Sequence, residues 1–570
     1  MRFKILHIIV SGLFVLVALN LVYAQAVRGR YYYDLSKNNR IRVVPIEGSR
    51  GRILDRNGTI LVDNRLSLNV LVLPQEIDDL DSLFSFLASV LREEKGALVK
   101  QYRQRMFAPF APVVVAENIS REQSIVIEEN KFLFPGLIVE ESFNRYYPFA
   151  DSEAHVLGYV GKINQSRAEK LKDYGYTAQS LVGYSGVEEY YDEDLRGGQG
   201  GLQIEVNSRG QQVRLLSLKD PSKGKDITLT IDHKIQGISK QLLSGRKGAI
   251  VVMDMDSGEI LGLTSSPSYD PNSFVNHKQN EAANILLNPS SPLLNRAISG
   301  QYPPGSVFKV SVALAALETQ KITAGTQFMC PGFYQVGDRQ FRCAHIHGDQ
   351  NLIEAIAHSC NVYFYQVGRK LTAEPIQQYA QTLGLGKLTE IDLPYEESGH
   401  IPSPRQRKAA TGRAWYTGDT LNFAIGQGDV LATPLQLVKF MSAVAQAGAV
   451  VQPHVIKSIG ENDVTKYSAK QYVHFAQKTF AAVLTGLKDV VDEDTGTGHL
   501  LDIEGLHVSG KTGTAQASGN KENHAWFVGF TSSAKANIAF CVFLEHGGSS
   551  RNAVELAREL LVRMKEEKIL

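Results

Sequence analysis

Neither sign of charge is in surplus in this chain. Lys plus Arg total 60 against 59 Asp plus Glu, so there is no global field to draw in nucleic acid or an acidic partner. Internal repeats and low-complexity tracts are absent as well, which excludes a solenoid or a repetitive disordered array. Cysteine is scarce, four residues in all, and no two of them form a C-x-x-C pair. Beyond the N-terminus no apolar run approaches the length needed to span a bilayer.

What is present begins with that N-terminus. After the basic start MRFK comes ILHIIVSGLFVLVALNLVYAQAV, residues 5–27, apolar apart from His7, Ser11, Asn20 and Gln25, and long enough to cross a hydrocarbon core of about 30 Å as a helix. Arg2 and Lys4 orient it with the N-terminus in the cytoplasm, so residues 28–570 are exported. A cleaved signal peptide is the competing reading, with VYA before Gln25 as the cleavage site; the run exceeds the roughly 7–15 residues of a secretory apolar region, which favours a retained anchor. The following RGRYYYDL places Arg28, Arg30 and Tyr31 to Tyr33 at the membrane interface.

A chain of 570 residues holds two or more domains. Residues 40–225 mix β-type runs such as TILVDNRLSLNVLVLP with charged helical pieces such as DSLFSFLASVLREEKGALVKQY, an α+β region without a catalytic constellation. The polar linker SLKDPSKGKD, residues 217–226, marks a boundary. Beyond it KGAIVVMDMDSGEILGLTSSP reads as a strand hairpin, NHAWFVGFTSS and ANIAFCVFLE as paired strands, and NAVELARELLVRMKEE as a closing amphipathic helix. Helical segments fill the middle, LNFAIGQGDVLATPLQLVKFMSAVAQAG among them. Strands at both ends with helices between predict an α/β sandwich whose first and last strands share a sheet.

Within that region YPPGSVFKVSVALAALE places Ser306 at the opening of a helix, where a serine is ordinarily a cap. Lys309 stands one turn on, on the same face, and a lysine directed into an apolar helix is costly unless it has work. Desolvated beside another cation, its pKa falls and it can deprotonate the serine. The pair gains meaning from its companions in order: Ser359-x-Asn361 on a downstream helix, then Lys511-Thr512-Gly513-Thr514. SxxK, SxN and KTG in this order are the signature of penicillin-binding proteins and serine β-lactamases. In that setting Ser306 accepts the acyl group, Lys309 is its base, and Ser359 passes a proton to the leaving amine. Asn361 holds the substrate amide and Lys309. Lys511 recognises a carboxylate and keeps Lys309 neutral, Gly513 admits the substrate backbone to an edge strand, and Thr512 and Thr514 offer hydroxyls.

Class A β-lactamases carry Glu-x-x-x-Asn, which is absent between Asn361 and Lys511, and a bifunctional synthase would show an acidic glycosyltransferase motif before the linker. The chain instead resembles, over nearly its whole length, the class B penicillin-binding proteins of the elongation-specific penicillin-binding protein 2 type. The stretches that carry this are SRGRILDRNGTILVDN, RYYPFADSEAHVLGYVG, GVEEYYDEDLRG, YPPGSVFK, WYTGDTLNFAIGQGDVLATPLQL and HAWFVGF. The division-specific paralogue and a penicillin-binding sensor or scaffold are the alternatives.

The resemblance implies an anchor at 1–27, a non-catalytic dimerisation-type pedestal at 28–225 and a transpeptidase domain at 226–570. It implies peptidoglycan D,D-transpeptidation during cell elongation: serine attack on the penultimate D-alanine of a stem peptide, release of D-alanine, and resolution by an amine of another stem, with D,D-carboxypeptidation as a side activity. The oxyanion hole would be the backbone N–H groups of Ser306 and Thr514. β-Lactams would trap Ser306. The partners implied are a SEDS-type glycosyltransferase and other elongation-complex proteins, at the inner membrane, with a periplasmic catalytic domain and no nucleic acid.

The cysteines remain. Cys541, in an apolar strand, reads as a small core residue. Cys330, Cys343 and Cys360 fit either a disulfide between the first two, a set of free thiols, or, with His347, a closed structural zinc site. Because Ser359 and Asn361 must both face the cleft, the Cys360 side chain between them is expected to point away, toward the segment carrying the other three. His345 is a rival to His347, and His358 reads as a packed or exposed histidine. Some elongation-class members resemble this further, with Asp, Asp, His and Cys holding zinc beside SxN; this chain places cysteines where the aspartates stand. No cofactor is needed for catalysis itself.

Overall fold

The computed structural model describes residues 2–570 apart from 33–40, 47, 107–111, 172–175, 177–179, 207–211, 276–278, 465–466, 468 and 534–535. Tyr33, one of the three expected interfacial tyrosines, lies outside the described residues. The N-terminal run is helical over Arg2–Val22 and continues as a π-turn over Tyr23–Val27. Among the described residues, Phe3–Val27 is the one segment long and apolar enough to cross a membrane, and none of it is buried.

The chain gathers into two compact units, residues 1–50, 64–144 and 196–224 in one, and 51–63, 145–195 and 225–570 in the other. In the first, the helix Leu80–Leu91 is capped by Asp79, whose carboxylate accepts from the backbone N–H groups of Asp81 and Ser82, and it ends where Arg92 turns left-handed. Its buried face, Leu83, Phe84, Leu87 and Leu91, follows helical spacing and packs with Val70 and Val72 of one strand and Val113 and Val115 of another. The helical stretch expected over 81–102 is two helices, Leu80–Leu91 and Lys95–Arg105.

The second unit is built on a five-stranded antiparallel sheet. Its strands are β1 (Gly248–Asp254), β2 (Ile260–Ser266), β3 (His507–Ala515), β4 (His524–Ser532) and β5 (Asn537–Leu544), in the order β2-β1-β5-β4-β3. The first and last strands of the region do share the sheet, with Val251 opposite Cys541. In β1 and β2 every residue but the last is buried, as expected where helices cover both faces and the alternation of a half-exposed strand is lost. Cys541 is a fully buried core residue of β5.

Five helices matter for the site or the sheet: α1 (Lys309–Glu318), α2 (Leu352–Ala357), α3 (Asn361–Leu371), α4 (Pro434–Ala445) and α5 (Ser550–Glu566). The long helical stretch expected around residues 421–448 is broken: one helix covers Thr417–Ala424, and α4 starts only after Thr433, whose side chain closes a capping box with Gln436. Gly426 and Gly428, both at positive φ, make the break.

Residues 145–195 are tied into this unit by buried polar groups. Arg145 and Glu188, both fully buried side chains, form an ion pair at 2.6 Å, and Arg145 also donates to the Gly51 carbonyl. Asp392 accepts from the Tyr191 hydroxyl and from the backbone N–H groups of Val455 and Ile456.

Candidate active site

The serine of YPPGSVFK does not cap a helix. Gly305–Phe308 form a 3-10 turn whose N-cap position is Pro304, α1 begins only at Lys309, and Ser306 sits inside the turn, half-buried. Among the described residues its hydroxyl has no hydrogen-bond partner. The ordinary explanation for a serine at a helix start is thereby removed.

Lys309 is completely buried. Its ammonium carries three donors, and these find the Ser359 carbonyl at 2.7 Å, the Ser359 hydroxyl at 3.3 Å and the Asn361 side-chain oxygen at 2.7 Å. The first two motifs therefore meet through Lys309, which spends its donors on SxN and not on Ser306. Burial pulls its pKa down to about 8, against the opposing pull of Cys343 and Cys360.

The sequence places SxN on a helix; in the structure only Asn361 is helical, as the first residue of α3. Ser359 lies between α2 and α3 with φ of 56°, a left-handed conformation that costs a non-glycine residue about 1 kcal/mol. Two backbone bonds enforce it, Cys360 N–H to the Ala355 carbonyl and Ser359 N–H to the Ile356 carbonyl, the pattern that closes a helix C-terminus. The sharp turn presents the Ser359 carbonyl and hydroxyl together to Lys309. Such strain, held by its surroundings, is a mark of functional positions.

The third motif lies on β3, the edge strand of the sheet. Lys511 is fully buried, and its pKa is driven well below the usual lysine value by burial first and by the charge of Lys309 second. Its ammonium donates to the Thr512 carbonyl and hydroxyl at 3.3 and 3.4 Å. The Thr514 carbonyl accepts from the side-chain amide of Gln427 at 3.2 Å, so it points off the sheet edge, away from β4. In a strand the N–H and C=O of one residue share a side, so the Thr514 N–H faces the same open edge. A side chain on Gly513 would stand 2.9 Å from the Pro304 carbonyl and 3.0 Å from Val307; the glycine is required by the packing of the serine turn against β3.

Two contributors escape a reading by motif. Thr497 accepts from the Thr512 hydroxyl at 2.8 Å, and both its N–H and its hydroxyl donate to the Ala357 carbonyl at the end of α2, linking β3 to the SxN turn. Gln427 belongs to the quoted AIGQG stretch, yet nothing in its spacing says which strand it would reach.

Below the SxN turn, the thiols of Cys330, Cys343 and Cys360 and the ring of His347 bring their ligand atoms within 4.8 Å of one another. All four cysteines of the chain are free thiols, so Cys330 and Cys343 are not joined. Cys360 does point away from the cleft, buried among these groups. His347 Nδ1 stands 3.5 Å from both the Cys330 and Cys343 sulfurs, close to the roughly 3.5 Å edge of a tetrahedron built from zinc–sulfur and zinc–nitrogen bonds. His345 contributes through its backbone, its carbonyl accepting from the Cys330 thiol and its N–H donating to Cys343, and His358 is packed, its ring bonded to the Gln350 and Thr495 side chains. The donor set fits a metal.

The cluster also holds α3. Cys360 is its N-cap and accepts from the Tyr363 N–H, while Cys343 accepts from the Asn361 N–H at 3.1 Å. Negative sulfur at a helix N-terminus is favoured by the helix dipole. Cys343 is accordingly held toward the thiolate, by the Cys360 thiol first and then by backbone N–H groups, while Cys360 is pushed up by the same contact.

Comparison with known proteins agrees with this geometry. The penicillin binding protein transpeptidase domain matches residues 248–562, and the penicillin-binding protein dimerisation domain matches residues 45–229. Peptidoglycan D,D-transpeptidase MrdA of Escherichia coli K12 is 34% identical over 95% of this chain and 90% of its own length. Among solved structures, penicillin-binding protein 2 of Helicobacter pylori in complex with MreC superposes with a TM-score of 0.83 at 29% identity, covering 93% of this chain and all of that one. A chain of a peptidoglycan synthase complex that coordinates polymerization and crosslinking gives 0.74 at 29%, covering 98% of each. With the SxxK turn, the SxN turn and the KTG edge strand gathered in one unit, the chain belongs to the penicillin-binding transpeptidases, as a peptidoglycan D,D-transpeptidase of the MrdA, elongation-type penicillin-binding protein 2 class.

Proposed function

We propose that the D,D-transpeptidase reaction of this class runs here through Ser306 as acyl acceptor, Lys309 as its base, Ser359 as proton carrier and Asn361 as the group that holds Lys309 and the substrate amide. The observation that carries this is the buried Lys309 ammonium bonded to both members of SxN. Neutral Lys309 takes the Ser306 proton as Oγ attacks the penultimate D-alanine carbonyl. The tetrahedral oxyanion rests on the N–H groups of Ser306 and Thr514. The carbon–nitrogen bond breaks, the proton passes through the Ser359 hydroxyl to the departing D-alanine amine, and an amine of a second stem peptide then attacks the ester, returning Ser306 to its hydroxyl form. Lys511, Thr512, Gly513 and Thr514 line the edge on which the donor stem lies, and the donor's carboxylate restores to Lys511 the charge that burial discourages. β-Lactams enter by the same route and remain on Ser306.

Zinc is our reading of the Cys330, Cys343, His347 and Cys360 group. Bound there, it would supply structural cross-linking of the loop to the SxN turn and no step of the reaction. Residues 1–27 then anchor the chain in the inner membrane with the N-terminus in the cytoplasm, supported by the apolar helix and by Arg2 and Lys4. Residues 28–225 serve as pedestal and 226–570 as the periplasmic catalytic domain. A SEDS-type glycosyltransferase and other elongation-complex proteins are the partners, supported by likeness to a penicillin-binding protein 2 solved with MreC and to a chain solved in a peptidoglycan synthase complex. Hydrolysis of a D-alanyl thioester by the purified chain, abolished in Ser306→Ala, is the expected result; activity that survives the substitution contradicts the assignment.

A further inference from the structure

An oxyanion hole works only if its donors stand at a fixed separation, about 2.7–3.1 Å from where the oxygen will be. Here the two donors come from elements far apart in sequence, a 3-10 turn at Ser306 and an edge strand at Thr514. One dipeptide touches both. The Gly426 carbonyl accepts from the N–H of Gly305, the residue before Ser306, at 3.0 Å. Any side chain on Gly426 would stand 2.2 Å from the Gly305 carbonyl, and its φ of +69° also calls for glycine. The next residue, Gln427, donates from its side-chain nitrogen to the Thr514 carbonyl at 3.2 Å and accepts the Gln516 N–H on its side-chain oxygen at 3.3 Å. A single carboxamide thus caps the C-terminal end of the open edge of β3, bonding at Thr514 and at Gln516 just past the strand. The Gln427 backbone N–H is bonded in turn to the Asn422 carbonyl in the preceding helix, so the clamp has a fixed base.

We propose that the Gly426-Gln427 turn sets the spacing of the two oxyanion donors, and that Gln427 is a positioning residue for acyl transfer. The proposal rests on Ser306 and Thr514 being those donors. The side-chain hydrogen bonds of Gln427 among the described residues go to Thr514 and Gln516 and not to Ser306; it fixes the direction of the Thr514 peptide groups, and with it the N–H on the same edge. Its effect falls on the step in which negative charge forms on oxygen, and much less on the initial docking of an acyl donor.

The test is acylation of the full-length protein in detergent by a fluorescent penicillin, with initial affinity and first-order acylation rate resolved separately. Gln427→Ala and Gln427→Met, the second keeping the side-chain length without its amide, are expected to acylate roughly 10- to 100-fold more slowly. Their initial affinity stays within about threefold, and a boronic acid, whose tetrahedral adduct places an oxygen in the hole, loses affinity by the same factor as the rate. Either variant acylating within twofold of the unsubstituted protein overturns the proposal. So does a defect confined to initial affinity, or loss of the cooperative thermal transition in both variants, which makes Gln427 a folding residue only. Ser306→Ala is the separate control: penicillin still attached covalently in that variant would unseat the active-site assignment itself.

Discussion

Lys309 Nζ gathers two oxygens of Ser359 and one of Asn361 while itself fully buried, and burial brings its pKa to about 8. The neutral amine is the form that accepts the serine proton, so acylation should be slow where the lysine is protonated and rise with pH, with a half-point near 8. A pH profile of penicillin acylation checks this; a profile flat from pH 6 to 9 removes Lys309 as the base. Lys309→Arg keeps the charge and cannot give it up, so no adduct should form. Away from the cleft, Arg145 and Glu188 face each other without solvent at 2.6 Å. Removing one partner leaves the other charge buried, and Glu188→Ala should cost about 3–5 kcal/mol in denaturant unfolding of the protein. Lys309, Ser359 and Asn361 stand out in the sequence because the SxxK and SxN motifs set their type and order. Thr497 and Gln427 do not, because their hydrogen bonds, one from Thr497 and two from Gln427, run to an edge that only the fold brings near.

Among the elements, the 3-10 serine turn and the edge strand β3 are pressed together at glycine. Gly513→Ala must push its new carbon off a backbone carbonyl at 2.9 Å. A displacement near 1 Å at reacting groups costs on the order of 100-fold, so acylation should drop at least roughly tenfold in this variant while the far strands keep their hydrogen-exchange protection. The thiol and histidine group beneath α3 has a comparable position: Cys343 holds the Asn361 N–H, so treatment with a chelator that strips the proposed zinc should loosen residues 330–348 and the SxN turn together. Faster hydrogen exchange over 330–361 with slower acylation is the expected result, alongside one zinc per chain in the untreated protein; no zinc, together with two thiols lost to a disulfide, contradicts it. Periodicity marked the helices and strands well enough, but not where they break. The 421–448 segment reads as continuous because its apolar spacing carries across the gap, and only the positive-φ glycines at 426 and 428 divide it. The left-handed Ser359 was equally hidden, since a serine gives no warning of the glycine-like conformation that its neighbours impose.

For the molecule as a whole, the sandwich was legible because its hairpin and its terminal strands carry strong apolar runs, and a sheet shared by the two ends of a region is the compact way to bury both. The grouping of residues 145–195 with the later body was not legible, because it depends on Arg145, Glu188, Tyr191 and Asp392 pairing over long sequence separations. Deleting residues 1–27 should leave a chain that no longer sediments with membranes and still labels with penicillin. The central claim, that Ser306 is the acyl acceptor, is tested most directly by incubating the full-length protein with benzylpenicillin and mapping the adduct by mass spectrometry. One penicilloyl group per chain, on the peptide holding Ser306 and absent in Ser306→Ala, is what the site predicts; an adduct on any other residue, or none on the folded protein, would contradict it.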